Sequence, residues 1–186
     1  MDKKTDKIIL SEQNLSEYFY LRLSDANKKS HCPLPQEFIL YSSEVMHKYA
    51  IAENYLVNDS KERVLGMEFL QAEQKSVSEK KEIYREIGDC VLFQLGVFPK
   101  RINKRSPSKS YYLNIGKSAY SKAAMLDCSF YDIPNFYNLL ATSMESLIKV
   151  VTHVAGSFTH DSLEQYLLEN SEAIVDFSFQ KTKLAN

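Results

Sequence analysis

Apolar residues recur at intervals of three and four along most of this chain, which is the spacing of helices that bury one face. The pattern predicts six helices, near 11–24, 35–57, 60–74, 78–98, 108–126 and 134–156, and a seventh that begins at Asp161. Prolines fall between these segments or at their ends, where a missing N–H is tolerated. The sequence therefore predicts an all-α, single-domain bundle of six to seven helices.

The same pattern divides the chain into three regions. Residues 1–10 are mostly polar and are predicted to be a flexible N-terminus, and 11–170 form the bundle. The packing of the tail, 171–186, stays open because 173–179 alternates apolar and polar residues and could form either a strand or a continued helix.

Periodicity also predicts which residues face the core. Tyr41 is among the inward-facing residues of the second helix. In the third helix the predicted inward-facing residues are Val64, Leu65, Phe69 and Ala72.

The fourth predicted helix is apolar around an unusually large part of its circumference. An i, i+4 stripe runs along it, and further apolar residues widen that stripe: Ile83, Ile87, Val91 and Leu95, with Cys90, Phe93 and Phe98. Such a helix belongs near the middle of a bundle. Gly88 and Gly96 lie about two turns apart, nearly on one face, and favour the close approach of another helix.

Charge gives no general attraction to a polyanion. The 186 residues include 23 Lys and Arg against 24 Asp and Glu, a net charge of −1. This balance argues against a membrane-surface protein and against general nucleic-acid affinity, although a local patch could still bind an anion. The three cysteines form no C-x-x-C motif, and no apolar stretch approaches the ~20 residues of a spanning helix. We therefore predict reduced thiols and a cytoplasmic location.

The twelve tyrosines allow two interpretations. Tyrosine is amphipathic, so a tyrosine-rich surface could serve recognition of a partner. Alternatively, the rings lie at the margins of the core with their hydroxyls in water, as is common for this residue type.

One segment resembles a known pattern. Its residues are Gly88-Asp89, Leu92-Phe93, Gly96, Phe98-Pro99, Tyr111-Tyr112, Gly116 and Ala119-Tyr120. The pattern is similar to that of an uncharacterised family of small helical bacterial proteins, and it covers about a fifth of the chain. The resemblance implies a bacterial helical protein and carries no catalytic residue with it, since no activity is assigned to that family.

Asp89 is the most informative polar residue, because it lies within the apolar fourth helix. A buried carboxylate requires partners, and Arg85, Tyr112, Tyr120 or a helix N-terminus could provide one. The first interpretation is a buried hydrogen bond that fixes helix register. The second is a polar contact lining the pocket of a small enzyme, with Tyr111, Tyr112 and Tyr120 nearby.

A basic cluster follows the fourth helix and places five cations within ten residues: Lys100, Arg101, Lys104, Arg105 and Lys109. These cations could simply interact favourably with the C-terminal end of that helix. They could also bind a phosphate, a nucleic acid or an acidic partner, with Tyr111 and Tyr112 as stacking surfaces. No helix-turn-helix spacing supports sequence-specific DNA binding.

No motif predicts a metal, a cofactor or a catalytic residue. Glu44 and His47 form one E-x-x-H pair on a helix, but a paired-metal bundle needs a second such pair, and none is present. His31, Cys128, His153 and His160 have no zinc-site spacing. We therefore expect a non-enzymatic regulatory or adaptor module that binds another protein or self-associates. The alternatives are an anion or nucleic-acid binder through the basic cluster and a small enzyme around Asp89.

Overall fold

A computed structural model of the protein describes residues 12–50, 64–99, 108–126 and 130–157. These residues form six helices and no strand, so the all-α prediction is confirmed. The helices are α1 (Glu12–Lys28), α2 (Gln36–Ala50), α3 (Leu65–Ala72), α4 (Val77–Val97), α5 (Lys109–Met125) and α6 (Phe136–Ser157). The regions 1–10 and 171–186, and the helix expected from Asp161, lie outside the described residues.

The helices pack as a bundle around α4. Helices α4, α5 and α6 contact one another pairwise, and α1 pairs with α2. Both α1 and α2 lie against α6, α2 also reaches α4, and the short α3 covers α4 and α5. Val91 and Leu95 of the predicted stripe have no exposed surface. The central position predicted for α4 from its wide apolar face is therefore confirmed.

Two serines define helix starts. The Ser76 hydroxyl accepts a hydrogen bond from the Glu79 amide at 3.4 Å, and the Glu79 carboxylate accepts one from the Ser76 amide at 3.0 Å. This reciprocal capping box makes Ser76 the N-cap of α4, two residues before Ser78, where the sequence predicted the helix to start, and the first helical residue is Val77. Ser108 caps α5 in a similar way by accepting from the Tyr111 amide at 3.4 Å.

Two glycines allow α4 to approach two different neighbours. A Cβ atom at Gly88 would overlap the Tyr120 ring of α5, and one at Gly96 would overlap Val151 of α6. Eight residues of helix rotate by about 80° beyond two full turns. The prediction that both glycines serve nearly one face is therefore wrong, because each serves its own helix contact.

Tyrosines contribute more to the interior than the sequence indicated. Within the described residues five tyrosines are buried: Tyr41, Tyr49, Tyr84, Tyr120 and Tyr137. The recognition-surface and core-margin interpretations are therefore wrong for these five, whereas the inward position predicted for Tyr41 is confirmed. Among the helices that the structure describes, none has the length and apolar character needed to cross a membrane.

Candidate functional site

A buried carboxylate lies where α2, α4 and α5 meet. Asp89 of α4 is only 4% exposed. Its Oδ1 atom accepts hydrogen bonds from the hydroxyl of Tyr120 on α5, at 2.9 Å, and from the hydroxyl of Tyr41 on α2. One carboxylate oxygen thereby connects three helices through two phenols.

A lysine connects this carboxylate to the surface. Lys48, in the last turn of α2, has its Nζ atom 3.8 Å from Asp89 Oδ2 and forms an ion pair with Glu86. Glu86 also accepts a hydrogen bond from the Tyr49 hydroxyl at 3.3 Å. The side chains of Lys48 and Glu86 are 35% and 25% exposed. We call Asp89, Tyr41, Lys48 and Tyr120 the Asp89 cluster; its polar contacts extend from the core to the half-buried Glu86.

Aromatic rings enclose the Asp89 cluster. The Tyr41 ring meets Phe130, Phe136 and Tyr137 edge to face, with centroid distances of 5.0, 5.2 and 5.7 Å. Tyr120 lies 5.8 Å from Tyr137. Edge-to-face pairs of this kind are favourable beyond their buried area. The rings pack around the two phenols that hold the buried carboxylate.

Burial controls the ionisation of this cluster. It raises the pKa of Asp89 to about 6, and the hydrogen bond from Tyr41, the charge of Lys48 and the hydrogen bond from Tyr120 oppose that rise. Burial, and then the neighbouring Asp89 charge, raise the pKa values of Tyr41 and Tyr120 well above their ordinary value. At neutral pH the phenols are therefore hydrogen-bond donors and Asp89 is an ionised acceptor.

The candidates from the sequence separate into three groups. Asp89 and Tyr120 come together. Tyr111 and Tyr112 lie about two turns before Tyr120 on α5. Tyr112 is half-buried and Tyr111 is 40% exposed, and the centroids of their rings are 5.9 Å apart. Four of the basic candidates lie outside the described residues: Lys100, Arg101, Lys104 and Arg105.

Two partners of Asp89 were not predicted from the sequence. Tyr41 lies on the predicted inward face of the second helix, and a buried tyrosine hydroxyl usually needs a hydrogen-bond partner, so this signal was available. Lys48 gave no comparable signal, because its position depends on how α2 crosses α4.

A groove runs between α3 and α4, with a volume of about 410 Å³. Its lining residues, which we call the acidic groove, include four carboxylates and one lysine: Glu68, Gln71, Ala72, Lys75, Glu79, Glu82, Ile83 and Glu86. Glu86 lines the groove and also pairs with Lys48. The groove is therefore in contact with the Asp89 cluster through a single ion pair.

The outer side of α3 next to the groove is apolar. Val64, Met67 and Leu70 are 55%, 55% and 67% exposed, and we call them the α3 apolar face. Val64 was predicted to point inward, so that prediction is wrong. Val64 and Met67 precede the groove residues Glu68 and Gln71 by one helical turn, which places the apolar face along the edge of the groove.

The E-x-x-H pair gains no further ligand in the part of the chain that the structure describes. Glu44 and His47 lie on α2, and no group of three or more His, Cys, Asp or Glu residues able to hold a metal occurs in those ranges. Burial raises the pKa of Glu44, while a hydrogen bond from Tyr131 and the charge of His47 act to lower this pKa.

Comparison with models of known protein families found no match, and neither did comparison with curated proteins or with solved structures. The resemblance to small helical bacterial proteins therefore stays a prediction.

Proposed function

We propose that this protein is a non-enzymatic adaptor or regulatory module that binds another protein through the α3 apolar face and the adjoining acidic groove. The observation that carries the proposal is the α3 apolar face itself. Val64, Met67 and Leu70 are each more than half exposed; Val64 is the N-cap residue of the short α3, and Met67 and Leu70 follow it at intervals of three residues.

Single exposed apolar residues are ordinary, whereas a contiguous group beside a groove is typical of an interaction surface. Fully burying one such side chain contributes about 1.5–3 kcal/mol. Since these three are roughly half exposed, covering them would contribute about 3 kcal/mol in total. That amount is enough to anchor a partner but too small to give tight binding alone, so polar contacts from the groove must add to it.

The Asp89 cluster supports a structural role for the carboxylate rather than a catalytic one. A general acid or base must come within hydrogen-bond reach of a substrate. Asp89 is 4% exposed, both of its oxygens have partners, and rings surround it. The hypothesis of an enzyme around Asp89, Tyr111, Tyr112 and Tyr120 stays an untested alternative with less support.

The anion- or nucleic-acid-binding alternative depends on the cluster Lys100–Lys109, of which only Lys109 is described, as an exposed residue at the start of α5. It is kept as a second prediction. A cytoplasmic, bacterial setting also belongs to the proposal; it is supported by the odd number of cysteines and by the resemblance.

The test is site-specific photocrosslinking in native host cells. A photoreactive residue at Met67 should capture one protein, which is then identified, purified and bound again by the untagged full chain. The same residue at Leu139, an apolar side chain that is 48% exposed on α6, is the matched control position.

The double substitution Met67→Ser with Leu70→Ser should abolish binding of the identified partner while the helical circular dichroism signal stays unchanged. Equal capture at Leu139, or undiminished binding by the double variant, would show that the α3 apolar face is not the binding surface.

A further inference from the structure

We propose that the acidic groove accepts a basic amphipathic helix of the partner protein, with its lysines or arginines against the α4 carboxylates and its apolar side on the α3 apolar face. This inference rests on the proposed function and adds the chemical class of the partner.

The charge of the groove is the first argument. Its lining has four glutamates and one lysine, and two of those glutamates, Glu79 and Glu82, form no ion pair within the described residues. Glu79 accepts hydrogen bonds from Ser76, which lower its pKa and keep it ionised. The groove therefore presents negative charge that α3 and α4 do not neutralise, and a cationic segment complements it.

The spacing of the groove residues is the second argument. Glu79, Glu82 and Glu86 occupy positions i, i+3 and i+7 of α4, so they form one stripe about 10 Å long. The α3 apolar face is a second stripe of similar length, at positions i, i+3 and i+6 along the other side. Parallel acidic and apolar stripes match a helix that has one basic and one apolar side, which is a recurrent way of binding a helix in a groove.

The size of the groove is the third argument. A volume of about 410 Å³ accommodates a few side chains but not a folded domain. The partner must therefore place only side chains of one element in the groove. A single helix lying along the groove meets this requirement.

The experiment uses the full chain and a synthetic 16-residue amidated peptide in which Lys and Leu alternate at helical spacing. A second peptide carries Glu in place of every Lys. Fluorescence anisotropy should detect binding of the basic peptide only, and the affinity should fall as salt is raised. Amide shift changes in the NMR spectrum should concentrate on α3 and the first half of α4.

The deciding variant combines Glu79→Gln and Glu82→Gln. An exposed charge pair contributes up to a factor of about five in affinity, so the pair of substitutions should weaken binding of the basic peptide by about two- to twentyfold. The matched control combines Glu17→Gln and Glu37→Gln, which removes the same charge from exposed positions on α1 and α2. Glu37 lies in the first turn of its helix, as Glu79 does, so the control matches the loss of charge at a helix start, while glutamine at position 79 can still accept from the Ser76 amide. Equal weakening by both variants, or none by the first, would overturn the inference.

Three further outcomes distinguish failure of this inference from failure of the proposed function. If the identified partner loses binding to the Met67→Ser, Leu70→Ser variant but not to the Glu79→Gln, Glu82→Gln variant, the proposed function stands and the basic helix is wrong. If neither variant weakens the partner, the proposed function fails. If the chain alone is a dimer by light scattering and the glutamine variant is monomeric, the occupant is a second copy and the inference is overturned.

Discussion

Helix α4 carries carboxylates in two opposite environments. Asp89 is buried, receives two phenol hydrogen bonds and lies near a lysine, and its pKa is raised to about 6. Glu79 and Glu82, two to three turns earlier, face an open groove and are exposed. Position on the helix therefore decides what a carboxylate can do. In the core it holds neighbouring helices together, and at the surface it caps the helix start, as Glu79 does, or stays exposed, as Glu82 does.

Removing the buried carboxylate should have the largest effect. Asp89→Ala removes the carboxylate that accepts from the buried Tyr41 and Tyr120 hydroxyls, and each such loss costs about 1–3 kcal/mol. We expect a loss of about 3 kcal/mol in the free energy of unfolding, measured by urea denaturation. Asp89→Asn keeps an acceptor oxygen and should cost clearly less. Equal losses for Ala and Asn would mean that the hydrogen bonds are not what stabilises the cluster.

Adding a methyl group at Gly88, the neighbour of Asp89, should have the next largest effect on stability. Gly88→Ala forces a methyl group into the Tyr120 ring and should cost about 1–3 kcal/mol through overpacking, despite the better helix propensity of alanine. Gly156→Ala on α6 is the control, since the added Cβ has no atom within 4 Å apart from its chain neighbours and the backbone of its own helix. Thermal unfolding of the two variants checks the contrast, and a stable Gly88→Ala protein would contradict the close approach of α4 and α5.

A smaller effect should appear with pH. The pKa of Asp89 is about 6 in the folded protein, against an ordinary value of 3.8. The stability that the protonated Asp89 contributes to the folded protein is therefore fully present below the pKa of 3.8 and is lost as pH rises through the pKa of about 6. Asp89 should therefore remove about 1 kcal/mol of stability between about pH 5 and pH 7. The measurement is the stability difference between the wild-type protein and Asp89→Asn over that range. A pH-independent difference would contradict the raised pKa.

The groove should give the smallest effect on stability. Glu82→Gln removes an exposed carboxylate with no ion pair in the described ranges, and it should change the free energy of unfolding by less than about 0.5 kcal/mol. Chemical denaturation checks this value. A larger loss would mean that the groove glutamates stabilise the bundle and are not reserved for binding.

The sequence could predict what one helix shows by itself. The apolar stripe of α4 was enough to place that helix centrally, and Asp89 was recognisable as a polar residue in an apolar setting. Helix ends were harder to predict, because Ser76 and Ser78 are both plausible caps and only the reciprocal bond with Glu79 distinguishes them.

Features made by two helices could not be predicted in the same way. The acidic groove depends on the angle at which α3 lies on α4, and the lysine partner of Asp89 depends on how α2 crosses α4. The α3 apolar face was missed for a related reason: the short α3 has apolar residues on both sides, so periodicity alone could not tell that Val64 is exposed while Leu65 is buried.

Lys48 is shared by a glutamate that lines the groove and an aspartate that lies in the core. A lysine or arginine of the partner that pairs with Glu86 would compete with Lys48 for the Glu86 carboxylate. Lys48 would then pair mainly with Asp89. Binding of the partner in the acidic groove would then favour the ionised form of Asp89, so complex formation should release a fraction of a proton near pH 6. By thermodynamic reciprocity, mild acid should loosen the complex even though the docked helix never touches Asp89.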